Sequence, residues 1–252
     1  MRAAVMRGAM LVADTLPDPE PGPGEVLVRT IACGICGSDL HTLQHGPEAV
    51  AGMRDMGVSK VMDLGRDVVM GHEFAAEVLD YGPGTERTFA AGTPVCSVPL
   101  LPRAAGIEAL GFSNEVPGGY GELMVLSREL LLPIPNGLAP ELAALTEPMA
   151  VGVHAVGLAN LGPHDVPLVI GCGPVGLAVI AALKLRRASP IVAADFSPRA
   201  GPWRRPWAPT SSSIPRPRRP TPAGRRRPSR RHRSRPRCRT SSCRPRSPSV
   251  RR

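Results

Sequence analysis

The sequence predicts a mixed α/β chain: a β-rich domain over residues 1–155, the start of a parallel α/β unit over 156–198, and a disordered Arg- and Pro-rich tail over 199–252. Three observations carry this. Short apolar runs broken by Gly and Pro fill the first 135 residues, a strand–glycine–helix–strand succession follows residue 166, and the composition breaks near residue 198. Before the break, 12 basic residues stand against all 21 acidic ones, a net charge of −9; after it come 19 Arg with no acid and no Lys, which restores the overall +10.

The runs AAVM, EVLVRTIACGI, DVVMGHEFAAEVLDYG, GTPVCSVPLL and YGELMVLS read as strands, with turns such as PDPEPGPGE between them. Residues 140–160, PELAALTEPMAVGVHAVGLAN, place Leu, Ala, Val and Met at helical spacing and predict one or two helices packed on the β-rich domain. No window approaches 18 uninterrupted apolar residues, and the N-terminus lacks the apolar run of a signal peptide. Six Cys are too few for a disulfide scaffold, so the sequence predicts a cytoplasmic protein without membrane association.

GCGPVG, residues 171–176, fits G-x-G-x-x-G; it follows the strand PLVI, opens the helix LAVIAALKL, and precedes by 19 residues an acid, Asp195, at the end of PIVAAD. Gly171 permits the tight turn, Gly173 lets the backbone approach a pyrophosphate, and Gly176 permits close packing of helix on strand. Pro174 and Val175 open the helix, whose free N–H groups favour phosphate. Asp195 can accept bonds from both ribose hydroxyls and would repel a 2′-phosphate, which favours NAD over NADP; nearby Arg199 keeps NADP open.

CGICGSDLH, residues 33–41, and GHE, residues 71–73, bring thiol, imidazole and carboxylate groups into the β-rich domain, a donor set that suits zinc. Together with TEPMAVGVHAV and GCGPVG followed by Asp195, these motifs occur in the order and at the spacing of zinc-dependent medium-chain alcohol dehydrogenases. The chain resembles the sorbitol and threonine dehydrogenase branch of that family over residues 1–198. The resemblance implies a GroES-like catalytic domain followed by a Rossmann domain. It makes Cys36 and His72 zinc ligands, puts Glu147 in the third-ligand position, and sets Glu73 beside the metal as a carboxylate that either exchanges onto the ion or supports its ligands. It implies that Ser38 bonds the substrate oxygen, that His41 passes the proton to solvent, and that Asp39 orients His72. The implied reaction is oxidation of an alcohol or polyol: zinc acidifies the hydroxyl, Ser38 and His41 remove its proton, and hydride goes to NAD.

The residues alone leave other readings open. Cys33 and Cys36 have redox-pair spacing without a βαβ setting, Glu147 could serve as a helix N-terminal acid, and Ser38 and Asp39 could be turn formers. His45, His154 and His164 match no motif, and Cys172 fills the glycine loop. Where many relatives carry a structural zinc on four closely spaced Cys, this chain has only Cys96, which predicts one catalytic zinc and no structural zinc. The stretch between His41 and His72 is expected to shape the substrate mouth. Full-length relatives are homo-oligomeric; the oligomeric state of this chain does not follow from its sequence.

The tail could bind nucleic acid or another polyanion, but the absence of Lys argues against a charge-driven role. Arg and Pro without Lys are what GC-rich DNA yields out of frame. Trp has one codon, so a one-base shift gives Gly across Trp207–Ala208 and only Leu, Met or Val across Pro202–Trp203 and Pro206–Trp207. The same shift allows three successive Val across Thr210–Ser213. A helix, a Gly cap and an apolar third strand would result, the continuation a dinucleotide fold requires. The sequence thus predicts a truncated chain with a frameshift near codon 199. The predicted function is hydride transfer from an alcohol or polyol to NAD; an inactive zinc-binding remnant and a polyanion-binding protein are the alternatives.

Overall fold

The computed structural model describes residues 1–58 and 60–196; the Arg-rich tail, Arg199 and the stretch expected to be out of frame lie outside the described residues. In chain order the elements are β1 (Arg2–Arg7), β2 (Met10–Thr15), β3 (Glu25–Cys33), α1 (Gly37–Gln44), α2 (Gly46–Asp55), β4 (Val68–Val69) and β5 (Phe74–Tyr81). There follow β6 (Pro94–Ser97), β7 (Leu100–Arg103), β8 (Gly106–Ala109), β9 (Leu123–Ser127), β10 (Leu131–Pro133), α3 (Pro140–Ala143), α4 (Thr146–Leu158), β11 (Leu168–Ile170), α5 (Pro174–Leu185) and β12 (Val192–Ala194).

A five-stranded antiparallel sheet in the order β10-β6-β5-β3-β9 forms the centre of the β-rich part. Its core gathers Val26, Val28, Val78, Val95, Met124 and Leu126, all fully buried. Burying each such side chain contributes about 1.5–3 kcal/mol. The β3–β5 ladder shifts register twice, yet it closes with Ala32 opposite Ala75 and Cys33 opposite Phe74. The segments that leave these two paired ends, residues 34–36 and 72–73, therefore emerge side by side. A second sheet, β2-β1-β4, lies in the same part of the chain.

Strand β2 is not among the expected strands; MLVA is a continuous apolar run without alternation of polar and apolar residues. Its hairpin with β1 turns on Gly8, whose φ of 62° suits glycine, and pairs Arg2 with Thr15. Helix α2, with Pro47 in its first turn, also arises in a stretch expected only to shape the substrate mouth. Residues 60–66 and 108–115 line a cleft of about 420 Å³.

The β7–β8 hairpin occupies the region where the family resemblance would place a four-Cys loop. Buried charges hold it: Arg103 donates to Glu25 at 2.7 and 3.0 Å, and Glu108 accepts from Lys60 and from Ser113. Arg103 holds the Glu25 carboxyl below the usual glutamate value although burial works to raise it.

The two helices of residues 140–160 pack differently. Ala143 and Ala144 at the end of α3 cluster with Ala75 of β5, whereas α4 lies chiefly on α5. Gly152 explains this, since a Cβ there would come within 2.6 Å of the Ala178 backbone; only a bare Cα lets the helices approach so closely. Strands β11 and β12 pair in parallel, with Val169, Ala193, Ile180 and Leu183 forming the core beneath α5. Leu168 and Ile170 face the other way, and Ile170 is 74% exposed. Among the described residues no helix is long and apolar enough to cross a membrane.

Candidate metal centre and dinucleotide loop

Cys36 stands immediately before α1, where its N–H donates to Asp39 Oδ2 at 2.9 Å in the helix's first turn. His72 and Glu73 follow Gly71, whose φ of 93° turns the chain into β5. Gly34 N–H donates to the Glu73 carbonyl at 2.7 Å and ties the two segments together. As a result the ligand-capable atoms of Cys36, His72 and Glu73 lie within 4.8 Å of one another; among the described residues this is the group that could hold a metal ion.

Behind this group Asp39 is only 3% exposed. Its Oδ2 accepts from Cys36 N–H and from the Tyr120 hydroxyl at 2.9 Å. Its Oδ1 faces His72 Nδ1 at 3.4 Å, an ion-pair distance at which both buried atoms remain without a hydrogen-bond partner. Burial works to raise the Asp39 carboxyl, but His72, the Cys36 N–H and Tyr120 hold it below the usual range. Burial works to lower His72, but Asp39, Glu147 and Glu73 raise it. Burial pushes the Cys36 thiol up, and burial with the Asp39 charge pushes Cys33 up to about 12. So high a value leaves Cys33 a thiol, a poor redox nucleophile at neutral pH.

The other expected site residues take distinct places. Ser38 is exposed in the first turn of α1, with its hydroxyl 3.4 Å from His72 Nε2. His41 is exposed one turn on, its ring 5.1 Å from that of His45. Glu147 sits half-buried in the first turn of α4. Its charge acts on His72, and burial raises its carboxyl, but it stands outside the three-residue group. Glu73, expected beside the metal, lies in the three-residue group.

In the glycine loop, Gly171 has φ 93°, and nothing lies within 4 Å of a Cβ at Gly171 or Gly173. A Cβ on Gly176 would collide with the Gly171 carbonyl oxygen, so the close approach is of helix to loop. Pro174 begins α5, and Pro174 and Val175 are exposed at its N-terminus. Asp195 Oδ2 accepts from Cys172 N–H at 2.6 Å, which ties the end of β12 to the loop.

Tyr120, Gly34 and Phe112 escaped the sequence reading. Phe112 lies 5.1 Å from the His72 ring and also lines the cleft. Phe112 and Tyr120 lie outside the metal and dinucleotide motifs, and Gly34, inside CGICGSDLH, carries no donor of its own; only the pairing of distant segments brings the three in, and GGYGE hints at a tight turn before β9 but not at a hydroxyl aimed at Asp39.

A sheet domain that gathers Cys, His and Glu at one strand end, joined to a strand–glycine–helix–strand unit, defines the class of zinc-site dehydrogenases with a dinucleotide-binding second domain. Residues 22–136 match the alcohol dehydrogenase GroES-like domain. The chain belongs to the zinc-dependent medium-chain alcohol dehydrogenase family. It is 36% identical over 194 residues to (R,R)-butanediol dehydrogenase of Bacillus subtilis (strain 168), covering 73% of this chain and 54% of that protein. It is 32% identical over 212 residues to sorbitol dehydrogenase of the same organism, covering 79% of this chain and 56% of that one. The crystal structure of 2R,3R-butanediol dehydrogenase from Bacillus subtilis is similar with a TM-score of 0.69 and 33% identity, over 82% of this chain and 61% of that chain. The chain spans about half the length of the curated relatives it matches.

Proposed function

We propose that this is the sequence of a cytoplasmic, zinc-dependent oxidoreductase that transfers a hydride from a small alcohol or polyol to NAD, using one catalytic zinc and no structural zinc. The observation that carries this is the Cys36–His72–Glu73 group with Asp39 behind it. Sulfur, nitrogen and oxygen donors suit zinc, which takes about three protein ligands and keeps one position open. The buried, unpartnered Nδ1 of His72 beside Asp39 fits as well. A ring held at Nε2 by a metal carries its proton on Nδ1, where Asp39 can accept it. Cys36, His72 and Glu73 would hold the ion, with Glu147 as the further carboxylate within electrostatic reach.

Zinc, when bound, supplies a Lewis acid that lowers the pKa of an alcohol hydroxyl. Ser38, exposed beside His72, takes the hydroxyl proton as it gives up its own to His41, three residues on and on the same helical face, and His41 releases a proton to solvent. Asp39 fixes the His72 ring. Gly171, Gly173 and Gly176 keep the loop bare for a pyrophosphate, with Pro174 and Val175 at the helix end. Asp195 favours NAD by repelling a 2′-phosphate.

Residues 1–155 form the catalytic domain and 156–198 the start of the cofactor domain on this reading, with 199–252 out of frame. Nucleic acid is not a partner. Two strands of the parallel sheet are described, against about six in a complete dinucleotide domain. The bare face at Leu168 and Ile170 therefore favours a second reading, a chain that binds zinc but does not turn over. NADH formation from a panel of alcohols and polyols, measured on this chain and on its frame-restored counterpart, separates the two. Activity in the restored chain alone supports the frameshift, and zinc binding without activity in either refutes the enzyme. Sequencing the gene around codon 199 tests the frame directly.

A further inference from the structure

We propose that Tyr120 is a positioning residue for the metal site: its hydroxyl fixes the Asp39 carboxylate, and through it the His72 ring and the start of α1 at Cys36. This rests on the zinc reading above. The Asp39 side chain is held at one oxygen by two donors of different origin. Cys36 N–H is local, whereas the Tyr120 hydroxyl comes from 81 residues away, each at 2.9 Å. With Oδ2 held from two sides, Oδ1 is left pointing at His72 Nδ1. One local bond alone would leave the broad terminal torsion of an aspartate free to turn.

Tyr120 is itself anchored so that it can serve as a reference point. Its N–H donates to the Met70 carbonyl at 2.9 Å, and its carbonyl accepts from Ala4 N–H at 3.0 Å, which clamps it between β1 and the loop that carries His72. Its ring passes so close to Gly71 that a Cβ there would come within 2.6 Å of it. A rigid aromatic lever thus links strand β1, the Gly71 turn and the carboxylate that addresses the ligands. Loss of the hydroxyl keeps every ring contact and removes only the lever's tip.

The experiment uses the 252-residue chain and the metals alone. Zinc affinity is measured by chelator competition, and the cobalt-substituted absorption spectrum is recorded, for wild type, Cys36→Ser, Tyr120→Phe, Asp39→Ala and the Tyr120→Phe/Asp39→Ala double variant. Expected results are Cys36-dependent binding in wild type and a loss of about tenfold for Tyr120→Phe with a shifted cobalt d–d band. The metal-free melting curve of Tyr120→Phe should stay unchanged, and the double variant should bind no more weakly than Asp39→Ala. Wild-type affinity and spectrum in Tyr120→Phe overturn this inference alone, as do losses that add in the double variant. Loss of the fold in Tyr120→Phe overturns it too, because the residue is then structural. Wild type that binds no zinc through Cys36 overturns the zinc reading and this inference together.

Discussion

Gly34→Ala separates metal binding from folding. Gly34 lies between β3 and α1 and is not among the glycines with positive φ, so alanine brings no backbone strain. Its new methyl group would collide with Glu73 Oε2 and come to 3.2 Å from Glu73 Cβ and 3.5 Å from Cδ. The carboxylate is the free end of a flexible side chain and can swing away; the Cβ contact asks the backbone for a few tenths of an ångström. Overpacking of this kind costs about 1–3 kcal/mol, offset by about 0.4–1 kcal/mol from the stiffer unfolded chain. The net is a loss of about 0.5–2 kcal/mol, a fall of a few degrees in Tm. The metal effect is larger, because the displaced group is one of the three donors: zinc affinity should drop by about tenfold or more. Chelator competition, the cobalt spectrum and thermal melting of the metal-free chain measure the two effects separately. Unchanged affinity with an unchanged cobalt spectrum would refute the assignment of Glu73 to the site and point to Glu147 instead.

Three further outcomes are expected. Arg103→Met strips buried Glu25 of both side-chain bonds and should cost about 1–3 kcal/mol, discounted because Arg103 is partly exposed. Burial works to raise the Glu25 carboxyl, but Arg103 holds it below the ordinary glutamate value in the folded chain, so the pair stabilises above that ordinary value and its contribution fades as pH falls through the folded one. Urea melts at a series of pH values should therefore show a shallower acid decline in Arg103→Met than in wild type. Leu126→Ala empties a fully buried position in the central sheet and should cost about 2–5 kcal/mol by urea melting, with zinc affinity kept in the folded fraction. Gly176→Ala would drive a methyl group into the Gly171 carbonyl, backbone against backbone; in the frame-restored chain calorimetry should show NAD binding weakened on the order of ten- to a hundredfold and zinc binding unchanged.

Much of this site could be read from the sequence because its chemistry is local. Cys36 and Asp39 are three residues apart and meet through a helix start, His72 and Glu73 are neighbours, and the glycine loop is one continuous turn. What stayed hidden depends on strand pairing. Only the β3–β5 register brings Gly34 against Glu73, and only the clamp on Tyr120 brings a hydroxyl to Asp39. The place of Glu147 outside the three-residue group likewise depends on how α4 sits on α5 through Gly152, a contact that no spacing rule encodes. Strand β2 was missed for a different reason. Its residues MLVA form an apolar run without alternation, and only the pairing with β1 across the Gly8 turn makes it a strand.

The two halves of the predicted chemistry differ in how far the described residues complete them, and this decides what can be measured on each. The groups of the metal site from Cys33 to Tyr120 lie on the central antiparallel sheet, on α1 and on the adjoining loops, with Tyr120 also bonded to β1, and the core valines of that sheet are fully buried. On the proposed reading that part would hold the ion through Cys36, His72 and Glu73, all of which precede the dinucleotide unit. The dinucleotide unit has two paired strands and one helix, with Leu168 and Ile170 turned outward from the face opposite α5. Parallel sheets of this class are covered on both faces, so these side chains are shaped for contacts beyond the described residues. On the proposed reading, zinc affinity is read on the 252-residue chain, and hydride transfer is compared between that chain and the frame-restored one. Zinc binding in the first without turnover, and turnover in the second, would locate the break between the two activities near codon 199 and not at the metal.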